Sequence, residues 1–570
     1  MRKWLPLLTV CLGTFMLLVD VTIVNVALPD LVVDLGASLT ALQWVIDAYA
    51  LALAALLLGV GSIADIVGHR RMYVAGLLLF AVSSLLCGLA PNPEMLIAAR
   101  AVQGVGAAAM FATTFALLNS SYAGRDRGTA YGVWGAVSGA SSAVGPILGG
   151  LLTEGVSWRW IFFVNLPVSV AGIALCLLVL RDAHPPRRVR VDLGGIVTFT
   201  GAAGGVTYAL IRANEDGWSD LGVWVLLAAS AVLLAAFVGV ETRIREPLFD
   251  LTLLRDRRFV AVLLTGLLMT FAAFAAFTYT SIWMQSVLGM GPLAAGLTGL
   301  PLSAAAFAVS AGLGRMLHER RPDRVISAGL LLVGLGALLV AALVHGSARW
   351  GAVLPGFAVI GLGVGLVIPI LGSVSMSFVP PQRGGMAAGA VNTARQLGYA
   401  IGIAVLGNVF AARAHDILAG RDVPQPAQVA HAVAGGGAPQ VLQGSPPPAR
   451  EALDAAVHAA AVGGVQLTFA VAGAVGVVAS LLVAYLMRPH PADAAAPATA
   501  APAATAAPTS AGPADTDADT DTDAGPATPT VVAQGPGRKD HEEAVSTTAA
   551  PVPEARRQDQ PPAPESTPAG

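Results

Sequence analysis

Two ionisable side chains stand inside long apolar runs of the chain. Asp20 lies in Leu18-Val-Asp-Val-Thr-Ile-Val-Asn-Val-Ala-Leu-Pro29, and Arg100 in Leu96-Ile-Ala-Ala-Arg-Ala-Val-Gln-Gly-Val-Gly106. A charge surrounded by hydrocarbon is expensive, so a carboxyl or guanidinium group kept there is a functional candidate by default. The chemistry open to Asp20 is uptake and release of a proton; Arg100 can hold a carboxylate or a bound water through paired hydrogen bonds and so bias that exchange. On a helix Arg100, Gln103 and Gly104 share one face, with Gly104 leaving room for close approach beside the charge. Asn25 is five residues from Asp20, roughly 140° around the helix, and need not serve the same site. The competing reading is that Asp20 and Arg100 pair only to hold helices together. Asp47 and Arg395 also fall within apolar spans, nearer their ends.

Other chemistries are poorly supplied. The three cysteines, Cys11, Cys87 and Cys176, each sit in an apolar run, and the sequence has no clustered His/Cys/Asp ligand set and no Walker A loop. No catalytic residue, metal or cofactor is therefore expected, and an enzyme or an ATP-driven machine is not.

The elements that must position Asp20 and Arg100 follow from composition. Of 570 residues, 55% are hydrophobic and 12% charged, against roughly 25% charged in soluble domains; mean hydropathy is +0.69. This is an all-α polytopic membrane protein. The net charge of -2 excludes bulk attraction to nucleic acid. Apolar stretches of about 20 residues, enough to cross the hydrocarbon layer, recur fourteen times between residues 5 and 487. Arginines concentrate in alternate breaks, including Arg70 and Arg71, Arg125 and Arg127, Arg187 to Arg190 and Arg255 to Arg258. By the positive-inside rule both termini are expected in the cytoplasm, with an external loop at about 412–460. Beyond Arg488 the Ala/Pro/Thr/Asp repeats carry no periodic apolar pattern, so 488–570 is expected to be a disordered cytoplasmic tail.

Two glycine-bearing segments carry conformational signals. In the fifth span Gly145, Pro146, Gly149 and Gly150 combine a GxxxG step with a helix bend, a face at which two halves of the molecule could close tightly. The loop Gly61-Ser-Ile-Ala-Asp-Ile-Val-Gly-His-Arg-Arg71 joins spans two and three; Gly68 permits a tight turn and Asp65 can accept bonds at a helix N-terminus.

In this order and on these helices, the four segments resemble the major facilitator superfamily. The loop with Gly61, Asp65, Gly68 and Arg70 is similar to its signature between helices two and three, although Ile66 and His69 stand where basic residues are frequent. Arg100-x-x-Gln103-Gly104 resembles the fourth-helix motif associated with proton transfer, and Gly145-Pro146-x-x-Gly149-Gly150 resembles the antiporter motif. Asp20 with Thr22, Val24, Asn25 and Pro29 resembles the first-helix signature of the fourteen-span drug:proton antiporters, the EmrB/QacA type. Trp158-Arg-Trp-Ile-Phe-Phe-Val-Asn-Leu-Pro167 and Gln382-Arg-Gly-Gly-Met-Ala-Ala-Gly-Ala-Val-Asn-Thr-Ala-Arg-Gln396 are also typical of that branch.

The resemblance implies a major facilitator fold: a six-helix bundle over 1–180, an extra two-helix insert over 181–258, and a second six-helix bundle over 259–487. Gly312 to Arg321 forms a degenerate echo of the first bundle's loop, as internal repeats of rocking-bundle transporters do. It also implies a secondary transporter of the bacterial plasma membrane, working as a monomer in lipid without a cofactor. Such a protein exports amphipathic drugs or antibiotics in exchange for protons. The alternatives are a dedicated exporter of one natural product, import of a polar metabolite, and a non-transporting scaffold or sensor. Aromatic faces bind flat lipophilic molecules without strict geometry, which makes Phe15, Trp134, Phe271, Phe274, Tyr279 and Trp283, with Asn25 and Gln285, the candidates for the substrate cavity.

Overall fold

The computed structural model describes residues 2–37, 39–180, 191–215, 217–317, 321–346 and 348–488. The tail expected over 488–570 lies outside the described residues from 489 onward, as do 181–190 and the centre of the second-bundle loop at 318–320.

Fourteen long helices run in order: α1 Leu5–Leu35, α2 Leu39–Val67, α3 His69–Gly88, α4 Pro93–Ser121, α5 Gly124–Gly155, α6 Asn165–Val179, α7 Leu193–Glu215, α8 Leu221–Glu241, α9 Arg257–Val287, α10 Leu300–Leu317, α11 Pro322–Leu343, α12 Leu354–Ser375, α13 Gly384–Ala419 and α14 Pro447–Leu486. Thirteen of these regions contain a stretch long and apolar enough to cross a membrane. The fourteenth, α5, is rich in Gly and Ser; it packs between α1 and α10, where small side chains fit close neighbours better than bulky ones. Within α9 two turns widen to π geometry, Phe271–Ala275 and Trp283–Val287.

Local sequence chemistry sets the helix ends. Gly68 adopts φ +111°, a conformation that L side chains avoid, and lets α2 turn directly into α3. Asn92 caps α4 by accepting from the Met95 N–H at 2.9 Å, with Pro93 at the first helical position. Asp220 and Asp256 cap α8 and α9 in the same way.

Helices α1 to α6 form one bundle and α9 to α14 the other, while α7 and α8 pair as a hairpin against α2 and α13. The bundles meet along two seams, α5 on α10 and α2 on α13. The outer surface is apolar: Leu78, Leu178, Val197, Val232, Leu335 and Leu481 are all exposed, as lipid-facing side chains must be.

Within the segment expected as an external loop at about 412–460, α13 continues to Ala419 and α14 begins at Pro447, with short helices Pro426–Ala434 and Ala438–Gln443 between them. Alanine-rich sequence favours helix, and the extensions bury Ala414, Leu418, Val457 and Ala460. At 36 and 40 residues, these helices span roughly 54 and 60 Å at 1.5 Å per residue, so they project well beyond the hydrocarbon layer.

The α2–α13 seam depends on missing side chains. A Cβ on Gly61 would collide with the Gly385 carbonyl oxygen, one on Gly385 would collide with that of Gly61, and one on Gly389 would lie 2.7 Å from the Leu57 carbonyl oxygen. Gly385→Val should therefore force the helices apart at a cost of about 1–3 kcal/mol, weakening closure at this end roughly five- to more than a hundredfold. Spin-label distances across α2 and α13 would report it; an unchanged distance distribution would mean that the seam tolerates bulk.

Candidate functional site

Each of the expected proton-coupling residues is buried in the first bundle, and the bundle brings them together. Asp20 is 0% exposed and Arg100 1%. Arg100 Nη1 donates to Asp20 Oδ2 at 2.5 Å and to Gln103 Oε1 at 2.8 Å, and its Nε donates to the Val45 carbonyl of α2 at 3.1 Å. Gln103 Nε2 donates to Asp20 Oδ1 at 2.9 Å and to Ser84 Oγ at 2.8 Å. Asn165 Nδ2 donates to Asp20 Oδ1 at 2.9 Å. The Arg100 guanidinium also lies over the Tyr49 ring, 4.3 Å from its centroid. Five helices thus supply a closed polar network in which both carboxylate oxygens of Asp20 are engaged. Gly104 makes room for it: a Cβ there would lie 2.5 Å from the Tyr49 carbonyl oxygen, blocking the approach of α2 to α4.

Two side chains that hydrogen-bond within the network carried no assigned role in the sequence. Asn165 stands in the Trp158–Pro167 motif, where its polar side chain in an otherwise apolar stretch was the available signal. Ser84 had none, because a serine is unremarkable in a membrane span.

The loop residues form a second constellation, at the end of the molecule where α2 meets α3. Asp65 accepts from the backbone N–H groups of Gly385 at 2.7 Å and Met386 at 2.9 Å, the first turn of α13. One carboxylate of the first bundle therefore caps a helix of the second, complementing the positive end of its dipole. His69 Nε2 lies 3.0 Å from Asp65 Oδ1. Arg70 donates to the Cys176 and Leu177 carbonyls at the end of α6, at 3.3 and 2.7 Å, tying the loop to its own bundle. Around the cap, Asn392 Nδ2 reaches the Phe111 carbonyl at 3.5 Å, and Gly372 leaves space for the rings of Phe115 and Tyr131. The bundles are shut together at this end.

The fifth-helix motif is placed differently from its expected role. Gly145 faces α1 of its own bundle, where a Cβ would collide with Thr22 Oγ1, and a Cβ on Gly150 would meet nothing within 4 Å. Gly149 is buried. The α5 glycines turned toward the second bundle are Gly135, against Pro369 and Ser310, and Gly139, against Ala306. The side chains of Pro146 and Asn25 lie outside the described set.

The aromatic candidates divide by burial. Trp134 is buried with Nε1 donating to Thr14 Oγ1 at 3.0 Å; Tyr279 is buried with its hydroxyl donating to the Ile403 carbonyl at 2.5 Å and its ring stacked on Phe410. Trp283 is fully buried and Phe271 nearly so. These four rings are packed between helices, where their large apolar area is buried. Phe15 and Phe274 are half-buried and Gln285 is exposed, its Nε2 bonded to Ser281 Oγ at 2.8 Å. Phe271, Phe274, Trp283 and Gln285 all lie in the π turns of α9, a feature that apolar periodicity does not reveal.

With this geometry in place, the chain can be set beside known proteins. The description of the Major Facilitator Superfamily matches residues 10–403. The chain belongs to the major facilitator superfamily. It is 37% identical over 409 residues to the multidrug resistance protein Stp of Mycobacterium tuberculosis, covering 72% of this chain and 76% of that protein. The puromycin resistance protein pur8 of Streptomyces alboniger is 38% identical, with 72% and 82% covered. The tetracenomycin C resistance and export protein of Streptomyces glaucescens is 32% identical over 503 residues, with 87% and 93% covered. Among solved structures, the human organic anion transporter MFSD10 (TETRAN) superposes with a TM-score of 0.58 at 14% identity, over 84% of this chain and 99% of that one; this is a likeness of fold. These relatives, multidrug and antibiotic resistance or export proteins, are consistent with the branch that its motifs resemble, the drug:proton antiporters.

Removing one partner of a buried ion pair leaves the other charge uncompensated, at a cost of about 3–5 kcal/mol. Arg100→Gln should lower stability in detergent by that order, and adding Asp20→Asn should recover much of the loss. A thermal-unfolding double-mutant cycle measures the coupling. Additive losses would show that the two side chains act independently.

Proposed function

We propose that this membrane transporter exports amphipathic organic molecules, antibiotics among them, across a bacterial plasma membrane in exchange for protons. The observation that carries the reading is the Asp20–Arg100 network. It provides one buried carboxylate with a fixed counter-charge, assembled from helices that can change their mutual packing. The relatives support the cargo class, being resistance and export proteins. Arginine placement supports an orientation with both termini in the cytoplasm, so the end shut by Asp65 is the cytoplasmic end and the conformation is the outward-facing one.

In this reading a proton entering from outside neutralises Asp20 and weakens its hold on Arg100. Arg100 keeps the Val45 carbonyl and the Gln103 side chain as hydrogen-bond acceptors, but its charge is then uncompensated, which destabilises this arrangement. The rearranged network then alters the packing of α1 against α4, and the cytoplasmic seam opens. Cargo binding displaces the proton and the bundle rocks back. The proton gradient supplies the driving force; no cofactor takes part, and one chain with its surrounding lipid is sufficient.

A second reading is favoured by two of the named relatives, each a resistance protein for one antibiotic: a dedicated exporter of a single natural product. The same mechanism serves both.

Asp20→Asn should insert normally and still allow energy-independent exchange of cargo, while abolishing uphill efflux in vesicles carrying an imposed pH gradient. Efflux at the wild-type rate would remove Asp20 from coupling. A resistance screen in an efflux-deficient bacterium separates the readings, since a broad profile favours multidrug export and protection against one compound favours the dedicated exporter.

A further inference from the structure

The second bundle holds a guanidinium that the Asp20 network does not use. Arg395 stands eleven residues after Gly384, the first residue of α13, roughly 16 Å along the helix from the shut end at 1.5 Å per residue, which is about half the hydrocarbon thickness. Its stem fits a notch in α9: a Cβ on Gly266 would lie 3.1 Å from Arg395 Cγ, and Thr270 Oγ1 donates to the Arg395 carbonyl at 2.7 Å. The guanidinium lies toward the first bundle, 5.6 Å from the ring centroid of Phe111 on α4. Its partners fall short of what such a charge requires. Nη1 donates to Asn392 Oδ1 at 3.3 Å, and Nε is buried with no hydrogen-bond partner. Among the described residues no carboxylate pairs with it. Asp47 of α2 acts instead on Tyr399, one turn further along α13, whose hydroxyl is 3.3 Å from Thr278 Oγ1. Arg100, by comparison, meets a carboxylate, an amide oxygen and a backbone carbonyl. Arg395 as a whole is half-buried, so a molecule lodged between the bundles reaches it.

A charge at membrane depth without a counter-charge is costly, and a guanidinium does not shed its charge as a carboxyl group does. Contact with a phenyl ring offsets only part of that cost. We propose that Arg395 is the recognition point for an acidic cargo: the carboxylate of an amphipathic organic acid docks on the guanidinium, with the apolar body of the molecule between the bundles. The proposal rests on the export reading and narrows its cargo class. A carboxylate matches the guanidinium fork through paired N–H···O bonds. An ester of the same shape would leave the charge uncompensated, so the site discriminates by charge as well as by fit. Its depth agrees, since transporters built from two repeats bind substrate near the bilayer midplane where the repeats meet. Gly266 serves the same site by leaving room for the arginine stem.

The test measures binding, not transport. The purified full-length chain in phosphatidylcholine nanodiscs is dialysed to equilibrium against 1-naphthylacetate or its methyl ester, with empty discs as the blank. Wild type should hold the acid about tenfold or more tightly than the ester. Arg395→Gln should erase that preference, and Arg395→Lys should keep part of it. Gly266→Ala, which crowds the stem, should weaken acid binding severalfold; it and the lysine variant carry the test if the glutamine variant fails to insert. Arg395→Gln should melt no lower than wild type, because the charge it removes has no partner, and the acid should raise the melting temperature of wild type alone. Asp20→Asn should keep the preference, which separates this result from proton coupling. A preference that survives in Arg395→Gln would overturn the proposal, as would equal binding of acid and ester by wild type; export of a neutral or cationic dye would then leave the export reading standing. Adding phosphatidylglycerol to the discs should change nothing, and loss of acid binding there would reassign the guanidinium to a lipid headgroup and overturn the cargo assignment.

Discussion

A buried ion pair is tolerated in hydrocarbon only when its environment meets nearly every hydrogen-bonding demand, and that constraint organises the first bundle. Asp20 cannot be satisfied by Arg100 alone, because its Oδ1 would be left without a donor. Gln103 from α4 and Asn165 from α6 supply donors, and Gln103 in turn reaches Ser84 on α3. The positions of α1, α3, α4 and α6 are therefore fixed by one carboxylate. The Val45 carbonyl adds α2 through a backbone group. Such a network holds its helices in one arrangement, and every member depends on the central carboxylate.

The two seams between bundles use a different kind of contact. At α2–α13, Gly61, Gly385 and Gly389 bring backbone against backbone, and the Asp65 cap adds charge to an otherwise apolar surface. Contacts of this type have little side-chain entropy to lose and form over a short distance range, so they separate cleanly instead of deforming. A rocking transporter needs such an interface. The interior of each bundle is built on large buried side chains such as Phe80, Phe115, Phe357 and Phe410, a packing that resists separation.

Residues whose presence violated the local pattern were legible in the sequence. Asp20 and Arg100 are conspicuous because charge in hydrocarbon is costly, and Gln103 because it shares a helix face with Arg100. Asp65 and Gly68 were legible as a turn with a free acceptor, but the acceptor's target in α13, more than 300 residues away, was not. The aromatic set was not separable in the sequence: a ring in a membrane span has the same signature whether it lines a cavity or packs against a neighbour, and Trp134, Tyr279 and Trp283 are buried while Phe15 and Phe274 are half-buried. The segment 412–460 was read as a loop because Gly and Pro punctuate its middle, although alanine continues the helix on both sides.

The fifth-helix motif shows how a correct signal can be attached to the wrong neighbour. Small residues at Gly145 predict close approach, and close approach occurs, but to Thr22 of α1 instead of to the second bundle. Thr22 is two residues from Asp20, and its Oγ1 is turned back onto the Val19 carbonyl at 3.1 Å. The bulk-free face of α5 thus lets α5 lie directly against the turn of α1 that carries the carboxylate, while Gly135 and Gly139 of the same helix lie against α10 and α12 of the other bundle. A shift of α1 that follows protonation of Asp20 would be transmitted through α5, because no side chain at Gly145 is available to absorb it. In the proposed cycle the contribution of α5 would be to connect Asp20 to the seam between the bundles.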